Sequence, residues 1–400
     1  MTGPRGLPPS LLLPGECFSA EFIARRSREH GFAQPNTLEA LLWGYEIFAQ
    51  LQERVGAAAR LTGGAATQLF VSPDRQRASV DIDILTSLPK AAMGAHLAEI
   101  GNSLGAEDPY FAFESYVPLK PSKAPGLYSY TVLVPSAVGQ KWRLQDGWEI
   151  EARMIKVDFH EMSELPPEHS RPVAVAGIDL KFQALCVSRG YLVAEKLLTQ
   201  ARNTVGVPDS RYEDLPKHLY DLDALTLPEE DGQLLGEAAQ WLPELVVQQG
   251  QEWRGGAQLV RVLKDLETSL EPFAVIDYIE ERQRFARAVQ QLETLYLPRG
   301  SRWRLHQWAT KAARMLAFAR LTRRAVLGKV PIREGGFETL EALAGKVRAH
   351  EDPSGLSKAL WSRLPLTLQQ IRPMRGSPPE RLFWLLADEG NLSWLSQTVP

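Results

Sequence analysis

Between residues 79 and 86 the chain reads Ser-Val-Asp-Ile-Asp-Ile-Leu-Thr, and this alternation constrains the fold more than any other stretch. Successive side chains of a strand point to opposite faces. Val80, Ile82 and Ile84 therefore share one face, and Asp81 and Asp83 share the other. A strand with one apolar face needs a covering layer, and the chain offers candidates on both sides of it. Upstream, Pro35-Asn36-Thr37-Leu38-Glu39 reads as a helix start, with Asn36 as the cap and Glu39 placed as in a capping box. Leu38, Leu41, Leu42, Tyr45, Phe48 and Val55 follow at helical spacing. Downstream, residues 91–105 read as a short helix. Strand-like runs follow at 110–117, 128–134 and 148–159. Together these predict a mixed sheet flanked by helices.

After about residue 180 the pattern changes. Residues 190–206 and 214–226 read as helices, punctuated by Pro208, Pro216 and Pro228. The remainder is a series of amphipathic helices with Trp and Leu on the buried sides. The expected organisation is a loose Pro-, Gly- and Arg-rich arm over 1–34, a sheet domain over 35–180, and a helical lobe over 181–400. A chain of 400 residues has room for this at roughly 100–200 residues per domain. The expected class is α+β.

Composition removes several alternatives. Hydrophobic residues make up 44% and charged residues 23%, which excludes a mostly disordered chain, a collagen-like repeat and a disulfide scaffold. A formal net charge of -3 gives no overall attraction to nucleic acid or membrane, so any such partner must be read by a local patch. Cys17 and Cys186 lie far apart and favour a reducing, cytoplasmic setting. The apolar run Leu11, Leu12 and Leu13 is too short for a signal-peptide core, and no stretch approaches the ~20 apolar residues of a membrane span. A soluble cytoplasmic protein with no membrane partner is expected.

The chemistry-bearing residues fall into three groups. Gly63-Gly64 forms a turn that admits close backbone approach, as phosphate binding needs. Arg77 and Ser79 lead into Asp81 and Asp83. These two carboxylates repel one another on one strand face, and a divalent cation with a preference for oxygen, such as Mg²⁺, would relieve that. The plainer alternative is a solvated edge strand with two surface acids. Met154-Ile155-Lys156-Val157-Asp158-Phe159 is a second alternating strand, with Lys156 and Asp158 on its polar face. A third carboxylate from a neighbouring strand would complete a metal site, and a lysine beside it suits a phosphate; an ordinary surface Lys–Asp pair is the alternative. Lys196 lies in the apolar run from Tyr191 to Leu198, and Lys217 and Asp221 stand four apart on one helix face, as any i,i+4 pair would.

In this order the motifs resemble those of the AbiEii/AbiGii nucleotidyltransferase toxin family, which includes MenT-type tRNA-modifying toxins. The resemblance covers residues 38–225. It implies that Gly63, Gly64, Arg77 and Ser79 cradle phosphate, and that Asp81, Asp83 and Asp158 hold metal and carry catalysis. Lys156, Lys196 and Lys217 would contact the nucleotide, and Lys196 and Asp221 would join the three aspartates in the catalytic set. The implied reaction is Mg²⁺-dependent transfer of NMP from an NTP to an acceptor hydroxyl, in a toxin–antitoxin or phage-defence system with an antitoxin as partner. Three features depart from the family pattern. Pro73-Asp74-Arg75-Gln76 lengthens the approach to Asp81, Lys217 stands where arginine is commoner, and the third motif can close on Asp209 and Arg211 or on Asp214 and Lys217.

A basic segment bears on the acceptor. Residues 299–333 contain Arg299, Arg302, Arg304, Lys311, Arg314, Arg320, Arg323, Arg324, Lys329 and Arg333, with no Asp or Glu between Glu293 and Glu334. Leu305, Trp308, Ala312, Met315, Leu316 and Ala319 make one helix face, with most basic residues elsewhere on the wheel. Such a helix fits an RNA backbone, although charge runs are usually solvated faces; the family resemblance implies that the RNA is a tRNA, modified at its 3′ end. A protein acceptor, a small-molecule acceptor, or a catalytically silent binding module on the same fold are the competing readings.

Overall fold

The alternating stretch forms a strand inside a mixed sheet. The computed structural model describes residues 7–106, 109–117, 126–144, 146–227, 233–250, 258–328, 336–387 and 389–399. The chain divides into two compact units, residues 1–188 with 292–302, and residues 189–291 with 303–400.

The first unit carries strands β1 (Ala59–Thr62), β2 (Asp81–Thr86), β3 (Phe113–Tyr116), β4 (Leu127–Pro135), β5 (Lys141–Arg143), β6 (Glu149–Glu161), β7 (His169–Val175) and β8 (Ile178–Cys186). Their order is β3-β4-β6-β2-β1-β8-β7, with β5 on β6. β2 runs parallel to β6 and antiparallel to β1, β4 runs antiparallel to β6, and β8 runs parallel to β1. Helices α1 (Ala20–Glu29), α2 (Pro35–Val55), α3 (Gly63–Thr67) and α4 (Lys90–Ser103) belong to the same unit.

One face of the sheet is apolar. Ile82 and Ile84 align with Val157 and Phe159 on β6 and with Tyr130 and Tyr128 on β4. The Tyr128 and Phe159 rings stack at 5.2 Å. α2 covers this face, and Gly44 sits so close that a Cβ there would lie 2.5 Å from Ile82 Cδ1. The mainly apolar α2 is buried from Thr37 to Leu51, which fits a helix beneath a sheet rather than a solvated one.

Several expectations change. Gln34 is the N-cap of α2 and Pro35 occupies its first turn, so Asn36 lies inside the helix and does not cap it. Glu39 turns instead to Ser136 Oγ at 2.8 Å and to the Ala137 amide at 2.6 Å. Residues 7–34, expected as a loose arm, contain α1 and bury Leu13, Cys17, Phe18, Ile23 and Phe32. The Leu12 and Leu13 amides donate to the buried Glu46 carboxylate of α2 at 3.1 and 2.9 Å. Prolines break the apolar periodicity of this stretch, yet its scattered apolar residues still find a partner surface. The first unit also extends past 180. β7 and β8 form a hairpin through Ala176 and Gly177, both at positive φ, and β8 pairs with β1 at Leu61 and Cys186. Cys17 and Cys186 are both free and buried.

The second unit is helical. It contains α5 (Arg189–Thr199), α6 (Leu215–Leu225), α7 (Leu234–Gly250), α8 (Leu259–Ala274), α9 (Arg282–Leu295, whose last four residues count with the first unit), α10 (Leu305–Val326), α11 (Gly336–Arg348), α12 (Pro353–Arg363), α13 (Leu366–Gln369), α14 (Pro379–Leu386) and α15 (Glu389–Thr398). α5 ends earlier than its expected limit of 206, because the chain folds back and the Val207 amide reaches the Thr199 carbonyl at 2.9 Å. α10 buries Trp308, Ala312, Met315, Leu316 and Ala319 as anticipated, whereas Leu305 is half-buried. It also buries Ala309, Ala313, Ala317 and Phe318, so its apolar surface is far wider than one stripe. This suits a central helix packed by α8 and α14. Pro228, Lys329 and Arg333 lie outside the described residues. Among the described residues, no helix is long and apolar enough to cross a membrane.

Candidate active site

The polar face of the sheet gathers the first unit's candidates into two rows. Across β2, β6, β4 and β3, Asp83 aligns with Asp158, Ser129 and Tyr116, and Asp81 aligns with Lys156, Thr131 and Glu114. Register partners share a face. The strand alternation that turned Ile82 and Ile84 toward α2 therefore sets Asp81 and Asp83 beside Lys156 and Asp158. All four are half-buried or partly exposed.

Asp158 is held on both sides. Ser129 Oγ donates to its Oδ1 at 2.5 Å, and Lys156 Nζ meets its Oδ2 at 2.7 Å. The Lys156 ammonium also lies 5.5 Å from the centre of the Tyr116 ring. A charge-assisted bond from each side fixes the carboxylate's orientation.

The glycine turn sits against the first row. Gly63 opens α3 with φ +65°, and a Cβ there would overlap the Asp83 carboxylate. This is a position where only glycine admits both the backbone and the neighbour. A Cβ on Gly64 would lie 2.5 Å from Ser79 Oγ and 3.1 Å from the Arg77 guanidinium. Gly63, Gly64, Arg77 and Ser79 are thus one buried cluster beside Asp83. The Arg77 amide donates to Gln68 Oε1 at 2.7 Å, and its Nη1 donates to the Ala78 carbonyl at 2.8 Å. The lengthened approach is anchored, not loose. Gln76 Nε2 donates to the Gln68 and Ala174 carbonyls at 2.9 and 2.8 Å, and Ala78 N donates to the Tyr296 carbonyl at 2.9 Å.

The later candidates belong to the second unit. Lys196 of α5 and Asp221 of α6 form a buried ion pair at 3.4 Å. Lys217 does not pair with Asp221 as an i,i+4 partner would; its Nζ reaches Asp214 Oδ1 at 3.2 Å. Arg211 Nη2 meets Oδ2 of the same Asp214 at 2.6 Å. The two flanking cations hold the Asp214 carboxyl below its ordinary range, against the opposing effect of its burial. Asp209 pairs with Arg202 at 2.5 Å and with Arg284 at 3.1 Å, and is likewise held low, chiefly by the Arg284 hydrogen bond.

The donor set suits a hard cation in kind. Asp81 and Asp83 offer only oxygen, on one face, with Asp158 next to Asp83. Among the described residues, no group of three or more His, Cys, Asp or Glu side chains is gathered as a metal cage. The fit therefore rests on the Asp81–Asp83 pair, with the Asp158 oxygens engaged by Ser129 and Lys156.

Ser129, Thr131, Glu114 and Tyr116 were not singled out from the sequence. Ser129 and Thr131 alternate with Tyr128, Tyr130 and Val132, so their shared polar face was legible; which strand they would lie against was not.

The basic segment is partly internal. Arg314 is buried and pairs with Asp223 at 3.0 Å and with Glu341, and Lys311 reaches Asp223 at 3.1 Å. These two cations serve the helical core and are not an open face. Arg299, Arg302 and Arg304 are exposed.

A family model described as "Nucleotidyl transferase AbiEii toxin, Type IV TA system" matches residues 50–298. Among solved structures, the chain is similar to MenT4, a nucleotidyltransferase toxin from Mycobacterium tuberculosis H37Rv, at 13% identity and a TM-score of 0.43 over 94% of this chain and 97% of that one. It is also similar to an antigenic nucleotidyltransferase-like protein from Paracoccidioides brasiliensis, at 14% identity and a TM-score of 0.28 over 50% of this chain and 84% of that one. No curated protein matches the chain.

Proposed function

Because the chain belongs to the AbiEii nucleotidyl transferase toxin family of Type IV toxin–antitoxin systems, we propose that it moves NMP from an NTP to the 3′-terminal hydroxyl of a tRNA. The observation that carries this reading is the polar face on which Asp83 of β2 stands opposite Asp158 of β6, with Asp81 alongside.

Asp81 and Asp83 would hold Mg²⁺ in this reading. That ion, when bound, supplies positive charge to the triphosphate. The close-packed turn at Gly63 and Gly64, with Ser79 and Arg77 beside it, receives the phosphates by backbone approach. Lys156 adds a point charge on the same face. The acceptor oxygen forms a bond to the α-phosphorus, the bond from that phosphorus to the bridging oxygen breaks, and pyrophosphate leaves. Asp158 takes the acceptor's proton, and Ser129 and Lys156 keep its carboxylate aimed while it does so. Lys196, Lys217 and Asp221 orient nucleotide or acceptor; that assignment follows the family resemblance.

A tRNA acceptor is supported by the stretch from Glu293 to Glu334 that lacks intervening acids, of which Arg299, Arg302 and Arg304 remain exposed. The reading implies a cytoplasmic setting and an antitoxin as partner. The test is mass analysis of total tRNA after exposure to the protein, Mg²⁺ and each NTP in turn. The expected result is a gain of one or more NMP units at the 3′ end with a preferred NTP. Unchanged tRNA together with nucleotide attached to protein would overturn the tRNA acceptor.

A further inference from the structure

The helical unit contains a cavity of about 240 Å³ lined by Glu267 of α8, Arg320, Arg323 and Arg324 of α10, Arg363 of α12 and Asn391 of α15. It shares no residue with the carboxylate site. Four arginines and one glutamate line it, and Arg320, Arg323 and Arg324 lie close enough to act on the Glu267 carboxylate. Arg323 Nε lies 2.6 Å from Glu267 Oε1. Arg320 Nη1 donates to the Leu385 carbonyl at 2.8 Å, and the Arg363 guanidinium lies 5.0 Å from the centre of the Trp394 ring. Glu271, one turn further along α8, lies near enough to act on Glu267, so a second carboxylate partly offsets the excess. Like charges converge at a cost unless an anion answers them.

We propose that this cavity is a phosphate-binding site of the helical unit. Guanidinium forks match phosphate oxygens in pairs, and bonds between the two are among the strong ones. The volume falls below the roughly 300–1,000 Å³ of pockets that enclose drug-sized ligands. The cavity thus accepts a phosphate or diphosphate group and leaves the rest of its carrier outside. Glu267 acts as the resident counter-ion, so a bound phosphate shares Arg323 with it and is opposed by its charge. The carrier is either a free diphosphate or an RNA backbone, since three of the four arginines come from the basic segment. The proposal stands on these residues alone and holds whichever acceptor the catalytic face uses.

The test measures binding to the full chain without divalent cation, using inorganic pyrophosphate by calorimetry and a short labelled RNA strand by anisotropy. Arg324→Gln combined with Arg363→Gln is expected to weaken binding by about tenfold or more, and Glu267→Gln to strengthen it about threefold. Loss of RNA binding in the double variant, with pyrophosphate competing against RNA in the wild type, identifies backbone phosphate as the ligand. An effect confined to pyrophosphate identifies the free anion. Asp83→Asn is expected to bind as the wild type does. The proposal is overturned if wild type binds neither probe, if the arginine variant binds unchanged, or if Asp83→Asn alone abolishes binding. Should the double variant fail to fold, Glu267→Gln decides: tighter binding supports the site, and equal or weaker binding overturns it.

Discussion

Asp83 and Asp158 are register partners on adjacent parallel strands, β2 and β6. The parallel pairing gives the two carboxylates a common face although far apart in the chain. Ser129 and Tyr116 continue the same row onto β4 and β3. The row turns separate motifs into one surface, and its supports yield direct expectations.

Gly63 tests the turn. Gly63→Ala forces a side chain into the left-handed region at φ +65° and against the Asp83 carboxylate. The backbone penalty alone is roughly 1–2 kcal/mol, and displacement of Asp83 by about 1 Å is expected to lower transfer by ~10²-fold. Thermal melting and transfer rate check both effects. Wild-type activity in this variant would mean that Asp83 is not placed by the turn.

Ser129 tests the aim of Asp158. Ser129→Ala removes the 2.5 Å bond to Asp158 Oδ1. A hydrogen bond to a charged group contributes roughly 1.5–3 kcal/mol, so kcat is expected to fall about tenfold or more, with KM for NTP little changed. Ser129→Thr should recover part of the loss. A drop in melting temperature with unaltered kcat would make Ser129 a structural residue only.

Glu39 tests a pH dependence of stability. Burial raises its carboxyl above the ordinary value of 4.5, outweighing the Ser136, Ala137, Val138 and Arg153 interactions that lower it. The folded state therefore holds the Glu39 proton more tightly than the unfolded state. The resulting stability is complete below pH 4.5 and is lost as pH rises through the folded-state value. Glu39→Gln cannot titrate, so its melting temperature relative to wild type should climb as pH increases above about 4.5. A difference that stays flat or falls with pH would contradict the assignment.

Arg314 separates structure from RNA contact. It is buried and bonded to Asp223, Glu341 and Thr226. Arg314→Ala leaves buried Asp223 with Lys311 as its cation and takes the guanidinium from half-buried Glu341, and should destabilise the helical unit by about 3 kcal/mol in urea unfolding. Exposed Arg302→Ala should change stability by no more than ~0.5 kcal/mol. Equal small effects would return Arg314 to the accessible basic face.

The legible part of the sequence was local periodicity. Alternation exposed β2, β6 and the faces of Asp81, Asp83, Lys156 and Asp158, because those strands each carry one covered face. β7 was hidden by Pro172 and the register irregularity that follows it, and β1 by four buried residues with no alternation. The partners of charged side chains were hidden for a different reason. Lys217 finds Asp214 and Asp221 finds Lys196 because tertiary packing chooses among equivalent helical spacings. Arg314 and Lys311 looked like surface cations until Asp223 was placed beneath them.

The central claim is that the carboxylates of β2 and β6 perform the transfer. Its most direct test compares wild type and Asp83→Asn for incorporation of an NTP labelled at the α-phosphate into total tRNA with Mg²⁺ present. The isosteric amide keeps the fit against Gly63, so the variant should melt as the wild type does while incorporation falls by at least ~10²-fold. Undiminished incorporation by folded Asp83→Asn would contradict the account.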